Sequence, residues 1–267
     1  MNNIFNGNIT IWQHDLNLSR SIGRPYTVKP GTTLNDILDI AKSGNSTTVY
    51  PILSYYAIGV GGVKLIDNTN YNLSRHSAKD VQPFDMIPFI LREPDNDIDN
   101  DIRKQYAFRK EIIVDGKNYI AYYLKRIQDI VSRSEFFKIN KNENNRDNLS
   151  VFNTNNEEVL HPKPIDREEM LNHPERGTLI VKTNKFLFSL TEFELEELDN
   201  VMKILNKDSR LTEIAICNAI KSATSISEPT KVQVGYYATC NIEISSKLLS
   251  STPVNLYLEV GSNEPYL

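Results

Sequence analysis

A chain of 267 residues with 40% apolar and 24% charged residues is long enough to bury a core, and its composition excludes wholesale disorder. The formal net charge of −4 argues against a broad basic surface, so nucleic acid is not expected as a main partner. No apolar run approaches the roughly 20 residues that cross a bilayer, so no membrane span is expected.

The first twelve residues carry Asn and Gly where a signal peptide needs a basic segment and an apolar stretch. We therefore expect a chain that folds in the cytosol or in a particle assembled there. Two cysteines, Cys217 and Cys240, are too few for a disulfide framework, and their pattern predicts buried apolar positions.

The N-terminal residues 1–24 show little periodicity, because Asn, Ser and Gly interrupt the apolar positions. Two interpretations stay open: an extended N-terminal arm, and a first strand within the chain's own sheet. Residues 26–28 predict a short strand, and Pro30-Gly31 predicts a turn. Thr33 then caps a predicted helix whose apolar positions are three, four and seven residues apart.

A glycine-rich segment follows the next predicted strand. Residues 49–58 are apolar and aromatic with a β bias, and they run into Gly59, Gly61 and Gly62. Three glycines in four positions predict unusual backbone angles or close approach to another chain. A phosphate-binding loop is not expected, because Leu rather than Ser or Thr follows Lys64.

The strongest local pattern predicts a β-hairpin. Residues 108–114 and 117–127 have strand composition, and Asp115-Gly116 between them supplies the positive φ angles of a tight turn. Tyrosines make both faces of the second strand half apolar, which predicts either contact with a partner subunit or packing in an ordinary core.

The second half of the chain opens with a polar stretch. Residues 140–156 are rich in Asn, and they predict an exposed loop or linker with a subdomain boundary near 140–165. Thr191 and Glu194 form a capping-box pattern that begins the best helix, which extends to residue 206. The other segments are 178–190 (β, with a turn at Thr183-Asn184), 211–221 (a helix or a strand), 232–244 and 255–260 (strands).

No catalytic or metal-binding motif is evident. No pair of histidines has the i, i+4 spacing of a helical zinc site, and neither cysteine lies in a C-x-x-C motif. The G-x-S-x-G elbow is absent, although the members of a Ser-His-Asp triad need not be close in sequence. We therefore expect no metal, no cofactor and no enzymatic activity.

An alternating acidic run resembles the start of a calcium-binding loop. Its members are Asp95, Asp97, Asp99 and Asp101. No frame supplies the Gly at loop position 6 and the Glu at position 12, so a solvated acidic loop is expected instead.

The stretch Tyr-Thr-Val-Lys-Pro-Gly-Thr-Thr-Leu at residues 26–34 resembles the opening of a LysM domain, a module that binds peptidoglycan sugars. The pattern departs after the helix, where Val49-Tyr50-Pro51 replaces the second helix and closing strand. The resemblance implies an alternative function as a cell-wall or glycan-binding module of a phage tail.

Several stretches together resemble a family of virion structural proteins of tailed bacteriophages. They are residues 55–62, 88–92 with 103–109, 116–126 and 258–264. The resemblance implies a non-catalytic component assembled in multiple copies at the neck, tail or baseplate. Its implied partners are copies of itself and other phage structural proteins, and its implied location is the virion, assembled in the host cytoplasm.

These patterns predict an α+β fold of mixed, mainly antiparallel sheets with a few packed helices and an extended N-terminal arm. The predicted divisions are an arm (1–25), an α+β subdomain with the hairpin (26–140), an Asn/Pro-rich loop or linker (141–165) and a C-terminal α+β subdomain (166–267). The predicted interface residues are Tyr55, Tyr56, Gly59, Gly61, Gly62, Tyr119, Tyr122 and Tyr123.

Overall fold

The computed structural model describes residues 3–40, 50–65, 71–74, 76–127, 133–141, 147–151, 178–220, 228–244 and 254–265. The helices in these ranges are α1 (Ile11–Ser21), α2 (Leu34–Ile37), α3 (Asn100–Arg103) and α4 (Glu192–Ile204), with a 3₁₀ turn at Pro94–Asn96. The strands are β1 (Asn3–Ile9), β2 (Ile52–Gly59), β3 (Val63–Leu65), β4 (Tyr71–Leu73), β5 (Met86–Ile87), β6 (Ile90–Arg92), β7 (Tyr106–Val114), β8 (Lys117–Arg126), β9 (Arg133–Lys141), β10 (Asp147–Val151), β11 (Thr178–Leu190), β12 (Arg210–Ile220), β13 (Thr230–Glu243) and β14 (Val254–Pro265).

Twelve of these strands form one sheet in the order β10-β9-β11-β14-β1-β13-β12-β2-β8-β6, with β5 on β2 and β7 on β8. Every pairing is antiparallel except that of β1 with β14. The predicted α+β class with mainly antiparallel sheet is therefore confirmed. Strands from both predicted subdomains share this sheet, since β2 pairs with β12.

The central strands are buried on both faces, and alternate side chains enter two separate cores. Tyr56 and Ile58 of β2 join one cluster, which also takes Leu198 and Val201 of α4. Tyr55 and Ala57 join the other cluster, which includes Leu34 of α2. Because both faces are covered, nine consecutive residues of β12, from position 211 to 219, are buried. Such a run lacks the alternation of apolar and polar residues found in a half-exposed strand. The sequence pattern of residues 211–221 was therefore compatible with both a helix and a strand.

The N-terminal residues do not form the predicted extended arm. Residues 3–9 are the strand β1, which lies inside the sheet between β14 and β13. Thr10 then begins α1, because its side chain accepts a hydrogen bond from the backbone N–H of Gln13. Residues 3–6 pair with β14 and residues 7–9 pair with β13, so the alternative of a first strand within the sheet is the correct one.

Local capping and turn patterns correctly predicted several elements. The hairpin of β7 and β8 turns at Asp115 and Gly116, whose φ angles are 48° and 78°. Thr191 and Glu194 form the predicted capping box of α4. Residues 26–28 form no strand, and the predicted turn at Thr183-Asn184 is wrong, because β11 runs unbroken from Thr178 to Leu190.

The predicted loop or linker at 141–165 falls mostly outside the described residues. Within it, Lys141 ends β9 and residues 147–151 form β10, which pairs with β9. The predicted domain boundaries stay predictions.

Candidate functional site

Glu213 lies at the centre of the most highly organised polar site that the structure describes. It stands on β12 next to a register shift between Leu211 and Glu213. Its buried carboxylate accepts hydrogen bonds from the backbone N–H groups of Gly61 (2.8 Å) and Phe84 (2.9 Å). The neighbouring Thr212 accepts one from the N–H of Gly62 at 2.9 Å. Side-chain oxygens of β12 therefore accept hydrogen bonds from main-chain N–H groups of the glycine-rich turn.

The three predicted glycines are required by this close approach. A methyl group at Gly59 would lie 2.5 Å from Oε2 of Glu213, and one at Gly62 would lie 2.6 Å from its Cγ. At Gly61 the nearest atom would be Cβ of Phe84, at 2.7 Å. The described neighbours of these glycines lie within the chain, so the predicted close approach to another chain stays a prediction. The alternative of unusual backbone angles does not apply, because none of the three has a positive φ.

His76 completes the site from the loop that precedes β5. Its Nε2 lies 2.7 Å from Oε1 of Glu213, and its Nδ1 lies 3.1 Å from Oδ2 of Asp80. Each ring nitrogen therefore has a carboxylate oxygen within hydrogen-bond distance. The side chains of His76 and Glu213 are both 0% exposed. We call His76, Asp80 and Glu213 the histidine clasp.

Two aromatic rings enclose the imidazole. Phe84 stacks on one face at 4.1 Å between centroids, and Tyr237 of β13 stacks on the other at 3.9 Å. Phe84 is itself 47% exposed, so its outer face forms part of the protein surface. Burial, followed by the nearby Cys217, Asp80 and Glu213, raises the pKa of Tyr237. The stack and the clasp together attach residues 76–85 to the sheet.

Burial by itself raises the pKa of Glu213, while the hydrogen bonds from His76, Phe84 and Gly61 lower it. The net effect is a pKa below the ordinary value, so the carboxylate stays ionised. A buried imidazole with both nitrogens engaged has no free position to exchange a proton with a substrate. The geometry of the clasp is therefore suited to holding a loop and not to general acid–base chemistry.

A hollow of about 320 Å³ adjoins the clasp. Asp85 and Lys207, which form an ion pair at 2.6 Å, lie on its wall together with Val60 and Arg210. Arg210 donates to Asn241 at 3.1 Å. Asp85, Lys207 and Arg210 of this hollow are thus engaged with neighbouring side chains.

A second buried charge cluster joins β8 to α4. Nζ of Lys125 lies 2.6 Å from the carboxylate of Glu194 and donates to the carbonyl of Ser189 at 2.7 Å. The hydroxyl of Tyr106 donates to the same carboxylate at 2.7 Å. Because Glu194 is also the capping-box residue, a single carboxylate ties together the start of α4, the end of β11 and the hairpin. A cavity of about 130 Å³ borders the cluster.

The predicted interface tyrosines lie mainly in the interior of the chain. Tyr55, Tyr56 and Tyr122 are at most 3% exposed, Tyr119 is 8% exposed, and Tyr123 is half-buried. The hydroxyl of Tyr56 donates to the carbonyl of Leu187, and burial raises the pKa of Tyr56. Whether an interface forms at these positions stays a prediction.

The acidic run has structural partners. Asp97 accepts a hydrogen bond from the hydroxyl of Tyr122 at 2.8 Å and lies 3.4 Å from Arg109. Burial, and then this bond to Asp97, raises the pKa of Tyr122 to about 12. Asp99 caps α3. Asp95, Asp99 and Asp101 are exposed, as the predicted solvated loop requires, and Asp101 pairs with Lys104 at 2.7 Å; only Asp97 is half-buried.

The side of β7 that faces away from β8 is partly covered and partly exposed. Among the described residues, no strand pairs with β7 on the side away from β8. Glu228 covers the first part of that side, since its carboxylate accepts from the N–H groups of Phe108 (2.6 Å) and Arg109 (3.1 Å). Further along, Ile113 is 74% exposed.

Sequence reasoning missed the clasp and the Lys125–Glu194 pair. Two signals were present: His76 and Asp80 are four residues apart, and Glu213 interrupts an apolar run. Neither signal identifies the partner, because His76 and Glu213 are 137 positions apart.

Within the described ranges, no group of three or more His, Cys, Asp and Glu side chains is arranged to hold a metal ion. No helix in that part of the chain is both long and apolar enough to cross a membrane. Cys217 and Cys240 are buried free thiols, as predicted.

Comparison with known proteins leads to a single match. No curated protein and no solved structure matches the chain. A family model described as a family of unknown function, DUF7208, matches residues 4–267. Because this match covers nearly the whole sequence, the chain belongs to the DUF7208 family.

Proposed function

We propose that this protein is a non-catalytic structural component of a tailed-phage virion, present in multiple copies at the neck, tail or baseplate. Its partners are copies of itself and other structural proteins of the particle, and its location is the virion. The proposal starts from the family resemblance of the sequence stretches described above, and it includes no nucleic acid as a main partner, in line with the net charge of −4.

One observation supports the proposal above the others: a long sheet ends at a strand, β7, whose outer side no described strand covers. Exposed strand edges pair readily with further strands. An assembly protein can use such an edge to contact its neighbours by strand addition.

The organisation of the buried charges supports a structural role as well. His76, Glu213, Lys125 and Glu194 are buried, and each bonds to other groups of the chain. Removing one member of a buried charge pair is strongly destabilising, so such pairs fix the arrangement of the elements that carry them.

Quantitative mass spectrometry of gradient-purified particles tests the proposal. Isotope-labelled tryptic peptides 118–125 and 211–221 serve as standards, since the first follows Lys117, the second follows Arg210, and both end in lysine. We expect a fixed copy number greater than one per particle, with enrichment in either the intact or the tail-only fraction. Absence from particles would overturn the proposal, and retention of the isolated chain on peptidoglycan would then favour the glycan-binding alternative.

A further inference from the structure

We propose that the outer edge of β7 pairs with the same edge of a second copy of this chain, in one antiparallel register centred on Ile112. This inference deepens the proposed structural role and rests on it.

The hairpin geometry establishes which backbone groups point outward. The tight turn places Val114 opposite Lys117, and the register continues with Ile112 opposite Tyr119. In a hairpin closed by a two-residue turn, these pairs bond to each other, and the residues between them direct N–H and C=O away from the partner strand. Glu111 and Ile113 therefore present their backbone groups on the outer side of β7.

The contacts on either side of the hairpin agree with this assignment. Arg109 has the same parity as Glu111 and Ile113, and its N–H is bonded on the outer side to Glu228. Phe108 breaks the alternation, because its φ is 60° and its N–H also bonds to Glu228. On β8, the carbonyl of Tyr122, which is opposite Arg109, accepts from the N–H of Phe89 on the far side of the hairpin.

The open part of the edge is short and exposed. Glu228 covers the edge at Phe108 and Arg109, so the segment that remains runs from Glu111 to the turn. No described residue bonds to the outward groups of Glu111 and Ile113. The side chain of Glu111 is 76% exposed, and Ile113 is 74% exposed. A second strand can therefore approach this segment without displacing a described contact.

Charge selects both the occupant and the register. Two copies of one edge, paired antiparallel about a twofold axis, must place outward-facing residues opposite each other. A register centred on Glu111 opposes that carboxylate to its own copy, and a register centred on Ile113 opposes Glu111 to Asp115 of the second copy. Both juxtapose like charges, which destabilises cross-strand pairs.

The register centred on Ile112 avoids these repulsions. It places Glu111 opposite Ile113 of the second copy and Ile112 opposite its own copy, so no two carboxylates of the open segment face each other. Arg109 lies outside that segment, because Glu228 binds its N–H group and its side chain pairs with Asp97 and Glu111. The open segment therefore pairs with its own copy in this register without a like-charge contact.

The contact is small, so it is weak in dilute solution and relies on the high local concentration of a multi-copy assembly. A pairing of about five residues buries less than the ~1,000 Å² typical of a stable interface. Covalent capture is therefore the appropriate assay.

Disulfide trapping on the purified full chain distinguishes the registers. In the proposed register, positions 111 and 113 of two copies form a hydrogen-bonded pair with Cα atoms about 5.5 Å apart, which suits a disulfide. An equimolar mixture of Glu111→Cys and Ile113→Cys chains should form a covalent dimer under mild oxidation. Each variant alone should not, because neither position faces its own copy. The native cysteines are buried and do not interfere.

The collision control is Thr27→Cys, which places a thiol at an exposed position away from the edge. We expect the mixture to cross-link at least about tenfold faster than this control, as expected for specifically juxtaposed thiols. Ile113→Pro in the Glu111→Cys chain, mixed with the Ile113→Cys chain, should slow the reaction to the control rate, because proline removes an outward N–H while leaving the ladder to β8 intact.

Cross-linking of the mixture at the control rate would overturn the proposal, and so would self-linking of the Ile113→Cys variant, which retains Glu111, faster than the mixture. Circular dichroism of each variant confirms that it is folded. This result is independent of the particle measurement. A protein present in particles that does not cross-link lacks this contact, and one that cross-links but is absent from particles assembles elsewhere.

Discussion

Replacing Glu213 by glutamine tests whether the histidine clasp holds its loop by charge as well as by shape. Glutamine keeps the volume of the buried side chain but replaces one oxygen, which only accepts, by an NH₂ group, which only donates. In either orientation the amide faces donors, namely the N–H of Gly61 on one side or those of His76 and Phe84 on the other.

The expected cost follows from burial. Replacing a buried, hydrogen-bonded carboxylate while its donors stay in place costs about 3–5 kcal/mol. This is a large part of the ~5–15 kcal/mol that stabilises a typical domain. We therefore expect the free energy of unfolding of Glu213→Gln to fall by about 3–5 kcal/mol. Urea denaturation followed by circular dichroism and by the fluorescence of Trp12, the single tryptophan, measures it.

The pH dependence supplies a second test with a defined sign. The pKa of Glu213 in the folded chain lies below its ordinary value of 4.5, so the unfolded chain binds the proton more readily. The stabilisation is therefore present above the unfolded pKa and is lost as the pH falls through the folded pKa. We expect the difference between wild type and variant to be largest above about pH 5 and to narrow below it.

The matched control is Glu196→Gln, which changes an exposed glutamate on α4. Its free energy of unfolding should stay within about 0.5 kcal/mol of wild type. A cost for Glu213→Gln no larger than that of the control, or a difference that does not narrow at low pH, would refute the electrostatic account of the clasp.

Three further changes test the interior by the same urea denaturation. Gly61→Ala should lower the free energy of unfolding by about 1–3 kcal/mol through overpacking, and an unchanged value would contradict the close approach. Tyr122→Ala should cost about 3–5 kcal/mol and Tyr122→Phe about 1 kcal/mol, and equal costs would show that packing of the ring is unimportant. Lys125→Met should cost about 3 kcal/mol, and combining it with Glu194→Gln should cost less than the sum of the two; simple additivity would contradict direct coupling.

The elements that sequence predicted well are those determined by neighbouring residues. The Asp115-Gly116 turn fixes the hairpin because its φ angles are set locally, and the capping box of Thr191 and Glu194 forms within one helical turn. β12 could not be assigned because both of its faces are covered, which removes the two-residue period.

The clasp was beyond sequence reasoning for a different reason. The glycines at 59, 61 and 62 indicated a close approach but not what approaches them, and their described neighbours include a carboxylate more than 150 positions away for Gly61. Likewise, the tyrosine pattern of β8 is compatible with an interface and with a core. Only the two-sided packing of the sheet places Tyr122 at 1% exposure.

Glu111 connects the stability of the chain with its proposed assembly. A bare strand edge risks pairing in any register, and charged residues at edges reduce that risk. The carboxylate of Glu111 would face its own copy in the register centred on Glu111, and Asp115 in the register centred on Ile113. In the register centred on Ile112 it faces only Ile113. The same residue thus discourages unspecific aggregation and permits one defined contact. The covered part of the edge, at Glu228, restricts the contact further to the end of the hairpin.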